Sequence, residues 1–441
     1  MRRLALLTAA ILLAAGPALA ENWPQWRGPF FNGSTSETGL PSRWSRSENI
    51  AWSAELPGPA AATPIVWEDR VFLSSTETQA ESLCALAIDR RTGRTLWQHT
   101  VAQGLRQDSR SNYASPSPVT DGKSVVFFYG TGDLAAFDRD GNRLWQRNLQ
   151  QDYGPFAFLW TFSSSPLLLD NKLYLQVLQR DVPVDGRGLP GRNESYLLAL
   201  ELETGRTLWR QVRPSQARAE SREAFSTPIP LVHEEKTQLL IAGGDDLTGH
   251  DAATGEELWR WATWNPQRIE HWRLVPSPVT GAGLILVCAP KNDPIYAVRA
   301  GGRGQLNDRA LAWTTQHERE LTSDVPTPAF YDGDFFVLSD LRKSLSRIDP
   351  RNGAVRWTVR TPGTSKYEAS PLAADGKIYV INFIGDVVVF DADQGSLLHT
   401  VSMDEPADDA IRSSLVAAGG QLFIRTNTRL YCVGNRRDVV P

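Results

Sequence analysis

The sequence predicts an all-β fold: a single eight-bladed β-propeller of four-stranded antiparallel blades, the last blade closed by the N-terminal strand. Three observations predict it. The hexapeptide TGRTLW occurs twice, at residues 92–97 and 204–209, and looser versions end at Trp145, Trp259 and Trp357. Aligned on that terminal indole, the chain repeats at Trp52, Trp97, Trp145, Trp209, Trp259, Trp313 and Trp357, with His399 in the eighth place, at intervals of 42 to 64 residues. Periods in the forties belong to propellers and related arrays. A second marker recurs out of phase with the first: Thr63-Pro64, Ser117-Pro118, Ser165-Pro166, Thr227-Pro228, Ser277-Pro278, Thr327-Pro328 and Ser370-Pro371, with Ser414-Leu415 a degenerate eighth.

Residues 1–20 read as a cleavable signal peptide: Arg2 and Arg3, an apolar run, and a small-residue site at Ala18-Leu19-Ala20. No cysteine follows directly, so no lipid anchor is indicated, and ordinary secretion is expected rather than the twin-arginine route. No later stretch reaches the ~20 apolar residues of a membrane-spanning helix. The expected location is periplasmic or secreted, and the expected state a monomer. Residues 21–47 carry Trp23, Trp26 and Trp44 among prolines and glycines; they are too polar and broken for a domain and read as an extended strap whose indoles dock on the propeller. Residues 48–435 form the propeller, and 436–441 a short charged tail.

Each repeat opens with an alternating hairpin, as in PVT-DGK-SVVFFY or LVAA-GGQ-LFIRT, where Asp-Gly or Gly-Gly supplies positive φ. A third strand such as LCALAIDR then enters a turn. There an acid (Asp89, Asp138, Glu201, Asp251, Asp349 or Asp391) accepts backbone donors, and a glycine (Gly93, Gly141, Gly205, Gly255, Gly353 or Gly395) permits the tight geometry. The fourth strand carries Leu-Trp, a ring able to fill the wedge between sheets. The last repeat has three strands and no terminal tryptophan, whereas NIAWSAEL near the start carries Trp52 with no hairpin before it. Joining the two closes the ring and removes both sheet edges.

Composition excludes several classes. Net charge is −4 with scattered Lys and Arg, which gives no footprint for nucleic acid. The three cysteines, Cys84, Cys288 and Cys432, make no disulfide framework and read as buried small hydrophobes, although one pair forming a disulfide is left open. There is no zinc-protease helix, phosphate-binding loop or nucleophile elbow, and the six histidines form no tight cluster with cysteines. Neither a catalytic residue nor a metal ligand set is assigned.

The unit ALAIDRRTGRTLW, with HDAATGEELW, resembles the repeat of the PQQ-type propellers, the quinoprotein alcohol dehydrogenase-like superfamily. The likeness covers about residues 48–434, and the lead-in NWPQWRGPFFNG resembles the opening of secreted bacterial members. The resemblance implies the propeller fold. It also implies two functions: dehydrogenases that hold PQQ with calcium above the axis, and non-catalytic scaffolds of BamB type. Dehydrogenases of this kind typically press the quinone between a tryptophan and a disulfide of adjacent cysteines, with an aspartate beside the calcium as base. This chain has no adjacent cysteines and no attached haem motif.

Function is expected on the face where fourth strands connect to the next blade's first, because those loops are long and dissimilar while the Asp-Gly-Trp turns are uniform. The residues just ahead of each Ser/Thr-Pro marker there are Tyr113, Trp160, Glu223, His271, Arg273, Asp324, Lys366, Glu368 and Arg412. Aromatics mixed with both charge signs suit a small polar ligand or a protein partner. The expectation is a non-catalytic binding or scaffold protein acting through this channel mouth; the alternative is a PQQ-dependent oxidoreductase with calcium, acting on alcohols or sugars.

Overall fold

A computed structural model describes residues 21–262, 264–315, 321–403 and 410–434; residues 1–20, expected to be a signal peptide, and the expected tail at 436–441 lie outside them. Eight sheets follow one another around a ring. Blade 1 comprises Ile65–Trp67, Arg70–Glu77, Ser82–Asp89 and Thr95–Gln103, and the pattern repeats to blade 7, which ends on Leu397–Ser402. Blade 8 takes Val416–Ala418, Gln421–Arg425 and Arg429–Val433 from the end of the propeller and Ile50–Glu55 from its start. In that pairing Trp52 faces Cys432 and Ser53 faces Tyr431.

Burial follows position in the blade. Third strands are covered on both sides by neighbouring blades, so Ser82–Asp89 is buried along nearly its whole length and reads as a continuous apolar run. Fourth strands form the outer edge, and Thr95–Gln103 alternates between half-buried and exposed. No helix among the described residues is long and apolar enough to cross a membrane.

The repeated hexapeptide has a two-blade explanation. The indole of one blade lies against the turn glycine of the next: a Cβ on Gly93 would come within 2.6 Å of the Trp52 ring, on Gly141 within 2.7 Å of Trp97, and on Gly205 within 2.6 Å of Trp145. The indole N–H then donates to a carbonyl of that same turn, Trp52 to Arg90 at 2.7 Å and Trp145 to Leu202 at 2.8 Å. The glycine therefore both takes positive φ, +75° at Gly93, and leaves room for its neighbour's ring.

Two junctions depart from the rule. Blade 5 replaces its tight turn with a longer connection whose strand, Gly304–Leu306, runs parallel to the edge of blade 4 as a fifth strand. Trp259 of blade 4 turns inward instead, 2% exposed, and donates to Gln238 Oε1 of its own blade. At blade 7 the histidine in the tryptophan's place is matched by the strap. Blade 8 has no turn for an indole to meet, since its fourth strand comes from the other end of the propeller. Trp44 fills the space, its ring edge-on to His399 at 5.6 Å.

The strap enters the channel from the turn face. Trp23 pairs with Val66 of blade 1, Pro24 accepts from Thr120 of blade 2, and the Gln25 amide exchanges two bonds with Leu168 of blade 3. All three partners lie three residues past their blade's Ser/Thr marker. Arg27 climbs further, donating to the carbonyls of Pro371 and Pro328, one residue past the marker. The chain then descends, Asn32 and Gly33 accepting from Phe330 and Ala373. Glu37 finally caps the Gly419 and Gly420 amides at 2.6 Å each, on the turn face. The strap is thus a plug whose tip is Gln25–Trp26–Arg27. Gly28 and Gly33 are required there, since a Cβ on either would strike the Trp23 ring or the Arg27 guanidinium.

Candidate functional site

The inner end of the mouth is a closed belt. The Thr63 amide donates to the Ser117 hydroxyl at 2.9 Å, Ser117 to Ser165 at 2.9 Å, Ser165 to Thr227 at 3.1 Å, and Thr227 to Ser277 at 2.8 Å. Ser277 donates to Thr327 at 3.0 Å, Thr327 to Ser370 at 3.0 Å, Ser370 to Ser414 at 3.1 Å, and Ser414 back to Thr63 at 3.2 Å. Every blade gives one amide to the next and takes one from the blade before. The recurring marker is therefore a hydroxyl requirement. Ser414 keeps it although leucine follows, so the eighth repeat is degenerate only at its proline.

Above the belt lies a cavity of about 910 Å³, its open mouth included. Six belt residues line it, with Trp26 of the strap at its channel end and Trp160, Arg110, Arg273, Glu368 and Arg412 around the wall. Three guanidinium groups thus face one lining carboxylate. Glu368 is committed to Arg412 Nε at 2.8 Å, with Lys366 Nζ at 3.9 Å. The Arg412 guanidinium also lies over the Phe383 ring at 4.7 Å. Arg110 lies over Trp160 at 5.5 Å, and the Trp160 N–H donates to Glu220 at 2.9 Å.

Arg273 is 4% exposed, with Glu220 at 3.7 Å and Asp324 at 3.9 Å. Neither contact is a hydrogen bond, and its Nη1 has no hydrogen-bond partner among the described residues. A buried guanidinium N–H left unmatched is costly, and the Arg273 side chain is part of the cavity wall. Lys291 is nearby; burial, and then Arg273, hold its ammonium below the ordinary lysine range.

Of the nine residues singled out from the sequence, Trp160, Arg273, Glu368 and Arg412 line the cavity, and Asp324 stands behind Arg273. Glu223 is fully buried below the loops, paired to Arg180 at 2.5 Å and accepting from the Leu159 amide. Burial pushes its carboxyl up to about 7 against the pull of Arg180. Tyr113 is half-buried beside Gly130, while His271 and Lys366 are exposed, and none of these three lines the cavity. Among the lining residues that the list of nine lacks are the belt hydroxyls, Arg110 and Trp26. Arg110 lies in the same loop as Tyr113, and the belt residues are the marker positions themselves. Nothing in the sequence signalled that residue 26 reaches a loop face at the far end of the channel.

The donor set is a poor match for a calcium-bound quinone. Among the described residues no three His, Cys, Asp or Glu side chains converge as a metal site. Glu368, Asp324 and Glu220 each face an arginine. Cys84, Cys288 and Cys432 are free and buried in blades 1, 5 and 8, so no disulfide stands beside the cavity.

The profile describing the outer membrane protein assembly factor BamB matches the chain over residues 35–176, 157–304 and 298–434. Among curated proteins no sequence matches. BamB from Moraxella catarrhalis is similar in structure, with 12% identity and a TM-score of 0.61 over 87% of this chain and 99% of that one. A europium-containing methanol dehydrogenase aligns with 11% identity and a TM-score of 0.65 over 94% of this chain and 98% of that one. The quinohemoprotein alcohol dehydrogenase from Comamonas testosteroni gives 13% and 0.58 over 95% of this chain and 81% of the other. At such identities the likeness is one of fold.

Proposed function

We propose, from the premise that this chain belongs to the family described as outer membrane protein assembly factor BamB, among the PQQ-binding-like β-propellers, that it is a non-catalytic binding protein. Its channel mouth holds an anionic group, free on a small organic molecule or carried on a protein. The observation that carries this reading is the cavity wall: Arg273, buried and no nearer than 3.7 Å to its facing carboxylates, shares that wall with Arg110 and Arg412. A carboxylate in the cavity offers these guanidinium groups a charge-assisted acceptor. The indoles of Trp26 and Trp160, both lining the cavity, suit a flat apolar part of the same ligand. The periplasmic or secreted location expected from the leader accords with such a role.

Calorimetric titration tests it with two probes, PQQ as a planar aromatic polycarboxylate and hexaglutamate as an acidic peptide, each with and without calcium. The expected result is saturable, calcium-independent binding of one probe, abolished by Arg273→Gln, with no alcohol- or sugar-dependent dye reduction. Which probe binds separates the two sources of the anion. Calcium-dependent turnover overturns the reading in favour of an oxidoreductase, and failure of both probes at millimolar concentration removes the anion site.

A further inference from the structure

We propose that the strap supplies the floor of this site: Trp26 is the surface on which the flat part of a mouth ligand rests, so that seating of the strap and occupation of the mouth stabilise each other. The inference rests on the reading of the mouth as an anion-binding cavity and adds a specificity-determining residue and a linkage to it.

The three strap indoles are not alike. Trp23 and Trp44 are 2% and 3% exposed and serve as packing. Trp26 is only half-buried, and what its ring borders is the cavity. The strap does not need that ring for anchorage, because Trp23, Gln25 and Arg27 hold the plug by bonds to blades 1, 3, 6 and 7. Arg27 is 5.7 Å from the Trp26 ring centroid and braces it from the strap itself.

Chain geometry makes the placement deliberate. Arg27 sits at φ +68° and Gly28 at +76°, the sharp reversal that puts residue 26 at the apex of the plug. Such backbone conformations cost energy for a non-glycine residue, and the bonds from Arg27 hold this one in place. An indole left facing an open cavity gains by being covered. A ligand that touches both Trp26 and the blade residues binds only the strap-seated state, and reciprocity then requires that it favour seating.

The test uses the full mature chain labelled with 5-fluorotryptophan, the Trp26 and Trp160 fluorine resonances being assigned with Trp26→Phe and Trp160→Phe. Terephthalate, a planar dicarboxylate, is the probe. Both resonances are expected to shift saturably with one Kd. Trp26→Ala should raise that Kd by about tenfold or more, Trp26→Phe should restore most of the affinity, and saturating probe should slow tryptic cleavage in the strap after Arg43. If Trp160 responds while Trp26 does not, or if Trp26→Ala binds like the parent, the floor role is overturned while the anion site stands. If neither resonance moves, the anion site falls and the floor role with it. The titration of the parent protein reads the outcome even where Trp26→Ala fails to fold.

Discussion

The turn face and the mouth face of this ring are built from the same eight blades and obey opposite rules. On the turn face most junctions are solved alike, an indole of one blade on the glycine of the next. On the mouth face the belt is equally regular, but directly above it the loops differ, and three arginines, two indoles and one carboxylate line the cavity with no repeat from blade to blade. Uniformity tracks contact with a neighbouring blade. Where a side chain must meet the adjacent repeat, few residues serve; where it meets only solvent or a ligand, each blade is free to differ. The junction of blades 4 and 5 supports this, because once a strand replaces the tight turn, Trp259 abandons the shared arrangement.

The largest expected effect probes the turn face. Gly205→Ala places a Cβ 2.6 Å from the Trp145 ring at a φ of +68°, and left-handed strain plus overpacking should cost about 2–4 kcal/mol. Gly283→Ala has a similar φ, +74°, and nothing within 4 Å, so it should cost only about 1–2 kcal/mol. Equal losses in urea melts would mean that the indole contact contributes nothing. In the belt, Ser165→Ala and Ser414→Ala each leave a buried amide without its acceptor, worth about 1–3 kcal/mol. Similar losses at the two positions are expected despite the missing proline at the second, and a silent Ser414→Ala would show the belt to be open there.

Glu223 gives a pH-dependent effect confined to the mouth side. An acid whose folded value, about 7, lies above its ordinary 4.5 binds its proton more tightly when folded. The folded state is therefore favoured below about pH 4.5 and loses that advantage as pH rises toward about 7. Thermal melts should show the parent losing stability across this window relative to Glu223→Gln; the opposite slope would mean that Arg180 outweighs burial. The smallest effect is expected from His271→Ala and Lys366→Ala, exposed and outside the cavity: within about 0.5 kcal/mol of the parent, with probe affinity unchanged.

The ring, its closure and the blade count were legible because they rest on repetition, and a contact made six times leaves its residues written many times over. The Ser/Thr-Pro marker was visible for the same reason, although its cause was not, since each belt bond joins residues 43 or more positions apart. The cavity was half legible. Counting back from the markers reached Trp160, Arg273, Glu368 and Arg412, whose loops point inward, and also collected His271 and Lys366, because distance along a loop does not say which way a side chain turns. Trp26 was hidden for a stronger reason: its position depends on the strap's path through the channel, which the bonds to six blades set and no local pattern encodes.

The belt has one more consequence. Each of its amide-to-hydroxyl links points the same way around the axis, so the circuit has neither a positive nor a negative terminus. A helix end offers a bound ion half a charge; a circulating loop of dipoles cancels across its diameter and offers none. Whatever potential draws a ligand into this funnel comes from ionised side chains above the loop and should fade with added salt as their screening does.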